Sequence, residues 1–187
     1  MAGRFAARIG RLVLPRRSRA FLRDERGVTA IEFGLLALPF FAIVGAILET
    51  SIVFLSSQIL DSAVQDSSRL IRTGQAKGFT IETFRANVCS RLYGLFTDCN
   101  GLFVKVNVVT DFKSATVTSP VDATCKTNCG WTTPESYATG GGSSIVMVQV
   151  YYKWPTLLNL GQLGLANLPD GKRLLGAATV FQNEPFT

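Results

Sequence analysis

The chain has 187 residues, enough for one domain with a sizeable core and an additional segment, and two full domains are not expected. It contains no histidine, which excludes the Ser-His-Asp and Cys-His catalytic arrangements and argues against an enzyme. Residues 1–26 account for the net charge of +6, because they contain eight arginines and only two acidic residues, Asp24 and Glu25. The remaining chain is neutral overall, so it does not indicate the basic patch that nucleic-acid binding requires.

A long apolar run directly follows the basic segment. Residues 28–55 contain only two charged side chains, Glu32 and Glu49, and as a helix they would extend about 42 Å, against about 30 Å for the hydrocarbon core of a bilayer. Residues 33–48 are apolar on all sides, unlike the one-sided core helix of a soluble protein, and the run is long for a secretory signal. The pattern predicts one membrane-spanning helix over residues 28–55.

The arginines predict the orientation of that helix. Basic residues favour the cytoplasmic side of a membrane, so residues 1–27 are expected to form a basic cytoplasmic leader. Residues 56–187 then form an extracytoplasmic head in an oxidising compartment. The protein is therefore expected in the inner membrane, with a single span and its head in the periplasm or outside the cell.

The first helix is predicted to continue beyond the membrane to about Arg72, because apolar residues recur every three or four positions. The expected buried stripe comprises Ile52, Leu55, Ile59, Ala63, Asp66 and Leu70. Gly74 and Gly78 end this helix, and a second one is predicted from Ile81 to Gly94 with Thr80 as its N-cap. Its expected buried face comprises Ile81, Phe84, Val88, Leu92 and Leu95.

The second half of the chain has strand patterns. Three segments alternate or are rich in β-branched residues, namely 102–112, 143–154 and 173–182, and the last follows a Pro-Asp-Gly turn. The expected inward positions are Val104, Val106 and Val108 in the first strand and Val146, Val148, Val150 and Tyr152 in the second. A polar loop is predicted from about Ser114 to Ser144, and residues 157–168 form a leucine-rich connection that could include a short helix.

These elements together predict an α+β fold. A long N-terminal transmembrane helix continues into a small head, which contains a second helix and an antiparallel sheet of about three to four strands.

Four cysteines, Cys89, Cys99, Cys125 and Cys129, allow either a zinc site or two disulfides. Their spacing includes no C-x-x-C pair, so the zinc pattern is weak, and the predicted oxidising compartment favours disulfides. Of the three possible pairings, Cys89 with Cys99 and Cys125 with Cys129 is favoured because each pair flanks a turn-like stretch. No metal and no cofactor is predicted.

Glu32 is an unusual residue so close to the start of an apolar span, because a charge in a bilayer costs free energy unless it is compensated. In the simplest interpretation its side chain extends to the cytoplasmic surface near Arg26. Alternatively, cleavage after Gly27 would give Val28 a new α-ammonium group, one helical turn from Glu32. That group is largely protonated at neutral pH, and the two charges would attract strongly in a low dielectric.

The stretch "RDER", then Gly27, a hydrophobic helix and Glu32, resembles a prepilin-type (class III) leader. Within it "GVTAIEFGLLALPFFAIVGAILE", from Gly27 to Glu49, resembles the TadE-like family, pilin-like proteins of the Tad (tight adherence) pilus system. The stretches "SSRLIRTGQA" and "VFQNEPF" are similar to the same family. Val28 occupies a position where other pilins commonly have phenylalanine.

The resemblance implies a pilin-like fold and a minor pilin or pseudopilin that takes part in assembling or anchoring a Tad-type pilus, for adhesion, surface attachment or biofilm formation. It implies that a prepilin peptidase cuts between Gly27 and Val28, and that Glu32 recruits the subunit by pairing with the α-ammonium of a neighbouring subunit's Val28. The implied partners are that peptidase, the inner-membrane assembly platform, other pilins and pseudopilins, and membrane lipid.

Other residues of the span carry separate expectations. Pro39 leaves the carbonyl of Leu35 without its helical partner and is expected to kink the helix. Gly34 and Gly45 would let another helix approach closely. Glu49 is interpreted as an interfacial residue rather than a functional one.

Two alternative functions follow from other interpretations of the same segments. In the first, the anchor is not cleaved and the head is a periplasmic binding or sensor domain. In the second, the head is an envelope enzyme, for which the sequence offers no nucleophile and base pair.

Overall fold

The computed structural model describes residues 27–122, 124–127, 129–158 and 164–186. The predicted leader, apart from Gly27, lies outside the described residues. The chain divides into two compact units, the first ending at Val44 and the second running from Gly45 to Thr187.

Helix α1 extends from Val28 to Arg72. It is long and apolar enough to cross a membrane by its length and composition, and it is the N-terminal candidate anchor of the chain. In the first unit its large side chains are open to the surroundings, with Phe33 70% and Leu38 75% exposed. Pro39 lies inside α1, which is helical on both sides of it; the kink stays a prediction.

The second unit contains the part of α1 that packs on the head. The stripe predicted for it is correct only in part, since Ala63 is buried and Ile59 and Leu70 are partly buried against the core. Ile52 is 42% and Leu55 53% exposed. The buried face of the helix is rotated relative to the predicted stripe. It comprises Glu49, Val53, Ser56, Leu60, Ala63, Val64, Ser67, Ser68 and Ile71. Serine can be buried here because the hydroxyls of Ser56 and Ser67 each donate to the carbonyl four residues earlier, at 2.8 Å.

Helix α2 extends from Ile81 to Ser90, and Thr80 caps it by accepting from the Thr83 backbone N–H. Its predicted end at Gly94 is too late, because Tyr93 and Gly94 adopt positive φ angles of 51° and 71°, which a helix does not allow. The predicted face is buried at Phe84, Val88 and Leu92, with Ile81 and Leu95 partly buried beside them. A short 3₁₀ helix follows at Cys99–Gly101.

Four strands form one sheet in the order β2-β1-β3-β4. They are β1 (Phe103–Val109), β2 (Ser136–Tyr137), β3 (Ile145–Pro155) and β4 (Lys172–Gln182). The α+β class and the three predicted strands are confirmed, and β1 and β4 both pair antiparallel to β3. The sheet is nevertheless mixed, because β2, within the predicted loop, pairs parallel to β1.

One face of the sheet forms the main core with the two helices. Val104, Val106, Val146, Val148 and Val150 are fully buried in one cluster with residues of α1 and α2. Val108 departs from the prediction, since it is 47% exposed.

The opposite face of the sheet is covered as well, which alternation alone does not indicate. Met147, Gln149 and Tyr151 of β3 are buried there. The Phe103 ring stacks on Trp131 with centroids 4.7 Å apart, and the Tyr151 hydroxyl donates to the Thr118 carbonyl at 3.3 Å. The loop between β1 and β2 therefore forms a third layer. In the described residues of the 157–168 connection there is no helix.

Candidate assembly segment

The junction between Gly27 and Val28 coincides with the start of a helix. Helix α1 begins at Val28, directly after the predicted cleavage position. Gly27 is exposed, and a Cβ built on it would meet no described atom within 4 Å. Packing within the described part of the chain therefore does not account for glycine at this position.

Glu32 lies four residues after Val28, so the two positions share one side of the helix and are one turn apart. Its side chain is exposed among exposed apolar neighbours, with Ile31 65% and Phe33 70% exposed. The ion pairs found in the described residues do not include Glu32. Because a carboxylate in lipid is costly unless a cation compensates it, this exposed position is open to a cation from the leader or from a second molecule.

The two small residues of the span have different surroundings. A Cβ built on Gly34 would meet no described atom within 4 Å, so this position is open to a neighbouring helix as expected. A Cβ built on Gly45 would lie 3.2 Å from Cδ1 of Leu158. The chain itself therefore occupies the surface at Gly45.

Glu49 has a structural role in the head, which the sequence does not indicate, while its position at the membrane interface stays a prediction. It is only 7% exposed, and its carboxylate binds the segment that follows β3. The backbone N–H of Leu157 donates to Oε1 at 2.6 Å, and that of Leu158 donates to both oxygens at 3.2 Å. The sequence gives little indication of this contact, because the partners are backbone groups more than a hundred residues away.

The cysteines lie in the pairs that the sequence favours. The Cα atoms of Cys89 and Cys99 are 5.8 Å apart, and those of Cys125 and Cys129 are 5.6 Å apart, both at disulfide distance. The first pair links α2 to the 3₁₀ helix before β1, and the second closes a short turn in the loop that covers the sheet.

The C-terminal tail contacts the end of α1. The Glu184 backbone N–H donates to the Arg72 carbonyl at 2.9 Å, and the two side chains form an exposed ion pair at 3.7 Å. Gly74, at φ 77°, lies against the Phe186 ring, where a Cβ would come within 2.8 Å of Cγ. The stretches "SSRLIRTGQA" and "VFQNEPF" thus meet in the fold, although about a hundred residues separate them.

A comparison with protein families gives the decisive observation: the sequence model of the TadE-like proteins matches residues 27–69. This segment is TadE-like. The family predicted from the sequence is thereby confirmed for this segment, and the match includes Gly27, Val28, Glu32 and Glu49. No curated protein and no solved structure matches the chain.

The N-terminal boundary of the family match also lies next to the start of α1. It begins at Gly27, one residue before the first residue of α1, and contains almost the whole TadE-like helix. The match associates the chain with the Tad pilus system in general. It does not extend to the sheet or to the C-terminal tail, so the structure alone describes most of the head.

Proposed function

We propose that this protein is a minor pilin or pseudopilin that takes part in assembling or anchoring a Tad-type pilus used in adhesion and surface attachment. It is inserted once with residues 1–27 in the cytoplasm, and a prepilin peptidase cuts after Gly27. The observation that supports this proposal is the TadE-like match, which begins at Gly27, one residue before the start of α1. The protein catalyses no reaction and is itself the peptidase's substrate.

Cleavage would give the mature chain a cation that the precursor lacks. The new α-ammonium of Val28 and the exposed carboxylate of Glu32 attract each other strongly in an apolar layer. Because desolvation offsets much of this attraction, pairing between neighbouring subunits defines the axial register of their helices more than it adds affinity. Other pilins, pseudopilins and the inner-membrane assembly platform are the proposed partners.

The processing step is tested by the intact mass of protein extracted from membranes of cells with and without the prepilin peptidase. We expect a chain beginning at Val28 only where the peptidase is present. Gly27→Leu should leave the leader attached. Gly34→Leu is the matched control, since both glycines are open in the structure, and it should be processed normally. The same unprocessed mass in both strains would favour an uncleaved anchor and contradict the proposal.

The assembly step is tested separately by a photo-crosslinking residue at Ile31, next to Glu32. We expect a cross-link to the N-terminal segment of another pilin subunit, identified by mass spectrometry. The cross-link should be lost in Glu32→Ala. A cross-link that survives this substitution unchanged would show that the carboxylate does not recruit the neighbour.

A further inference from the structure

The connection after β3 contacts α1 at a part of the helix that belongs to the predicted span. The two N–H groups of Leu157 and Leu158 bind the Glu49 carboxylate, and the Leu158 side chain lies over Gly45, one helical turn earlier. These residues all belong to the second structural unit. The backbone of Leu157 and Leu158 is therefore held at Glu49, and the Leu158 side chain reaches one turn further toward the N-terminus of α1.

The surrounding surface of that turn is apolar and open. Leu48 is 58% and Ile52 42% exposed, and both lie on the side of the helix next to Glu49 and Gly45. A soluble head would bury such residues, whereas a membrane helix presents them to lipid. Irregular backbone is tolerated at membrane depth only where its polar groups have partners inside the protein. The carboxylate of Glu49 supplies that partner to two N–H groups.

Leu157 projects from this connection without being covered by the head. It is 82% exposed, although its backbone N–H is held at 2.6 Å by a buried carboxylate. The backbone of Leu157 is thus held by the protein, while its side chain is free to contact solvent or lipid. Leu157 is therefore an exposed apolar side chain whose backbone is held at Glu49, a residue of the predicted span.

Basic and aromatic residues flank the connection at the ends of its two strands. Lys153 and Trp154 lie near the end of β3, and the register places Arg173 opposite Trp154 and Lys172 opposite Pro155. Tryptophan and long basic side chains are enriched at the membrane interface, where rings and aliphatic stems remain apolar while polar groups reach water. Lys153 and Trp154 pack inside the head against Trp131 and Phe96, whereas the Lys172 side chain is 44% exposed and is open to lipid headgroups.

We infer that residues 156–158, directly after β3, are a second membrane contact of this protein, in which Leu157 inserts into the outer interfacial layer of the membrane that α1 spans. The occupant of this surface is phospholipid. The inference rests on the membrane anchoring included in the proposed function, and it does not depend on cleavage after Gly27. Two attachment points would restrict rotation of the head about the helix axis and define which face it presents to other subunits.

The test places a nitroxide label at Leu157→Cys in the full chain, folded with its disulfides intact and reconstituted at one chain per phospholipid nanodisc. Collision with oxygen reports lipid, and collision with a water-soluble nickel chelate reports water. Phe112→Cys is the matched control, because Phe112 is also an exposed apolar residue, at 56%. It follows β1 at the opposite end of the sheet, roughly 30 Å from Leu157 along β3.

A label at Phe40→Cys, in the predicted span, reports whether α1 is inserted. We expect the ratio of oxygen to nickel collisions to be several-fold higher at positions 157 and 40 than at 112. Equal ratios at 157 and 112, with a lipid-like value at 40, would overturn this inference and leave the anchoring intact. A water-like value at 40 would overturn both. Protection of 157 from both reagents would mean that protein covers it, which also contradicts the inference.

Discussion

The two halves of α1 use the same residue types in opposite ways. Glu32 in the N-terminal half is exposed and belongs to none of the ion pairs found in the described residues, whereas Glu49 in the other half is buried and binds two backbone N–H groups. Gly34 is likewise open, and Gly45 is covered by Leu158. The N-terminal half of α1 is therefore open to contacts with other molecules, whereas the C-terminal half packs on the head of the same chain.

A charged residue in an apolar helix can therefore have either of two explanations. A carboxylate with partners in its own chain is part of the fold, and its removal should reduce stability. A carboxylate that lacks them is available to a second molecule, and its removal should reduce assembly. The following substitutions separate these two outcomes.

Glu32→Ala is expected to reduce assembly without changing the stability of the head. Loss of the carboxylate should reduce the amount of protein recovered with pili at least about tenfold, which corresponds to about 1.4 kcal/mol. The urea midpoint of the head should not change, since Glu32 lies in the first structural unit. Immunoblotting of sheared pili measures the first quantity and near-UV circular dichroism the second. Normal recovery would remove Glu32 from the assembly mechanism.

Glu49→Ala should have the converse effect. It leaves the Leu157 and Leu158 N–H groups without their acceptor, and we expect the free energy of unfolding of the head to fall by about 2 to 3 kcal/mol. Urea titration in detergent micelles measures the change. Glu49→Gln retains one acceptor oxygen and should lose less. Cleavage after Gly27 should continue in both variants, and a defect in cleavage without loss of stability would reverse the assignment.

The contact between the C-terminal tail and α1 predicts a smaller effect. Gly74→Ala should destabilise the head by about 2 kcal/mol, because alanine is strained at φ 77° and its Cβ displaces the Phe186 ring. Gly78→Ala is the matched control, at φ 91° but with no described atom within 4 Å of the new Cβ, and should cost only about 1 kcal/mol. Equal thermal shifts for the two variants would show that Phe186 does not pack on Gly74 in solution.

The smallest effect concerns an exposed carboxylate with partners in its own chain. The backbone N–H and then the hydroxyl of Thr124 donate to Asp122 and lower its pKa below the usual value of 3.8. Its contribution to stability is therefore fully present above the unfolded-state pKa and is lost as the pH falls through the lower folded-state value. Between pH 6 and pH 2 the urea midpoint of Asp122→Asn should fall slightly less than that of the unmodified protein. An identical pH dependence would contradict this role.

Local patterns predicted much of the fold. Apolar alternation located β1, β3 and β4, and Thr80 marked the start of α2, because each of these features depends on residues close together in the chain. The buried face of α1 was predicted only in part, because the exposed Ile52 and Leu55 are as apolar as the residues that pack. Which side of an apolar helix is buried depends on the element it meets, and helix periodicity contains no information about that element.

Sequence alone was sufficient to predict the apolar helix, the change in net charge at Gly27, the position of Glu32 and the resemblance to the TadE-like family. These features follow from residue type and spacing within one segment. Three-dimensional coordinates were needed to show that Glu49 binds Leu157 and Leu158, that β2 makes the sheet mixed, and that the C-terminal tail contacts the end of α1. Each of these contacts joins groups that are distant in sequence, and most use backbone atoms, which every residue type shares.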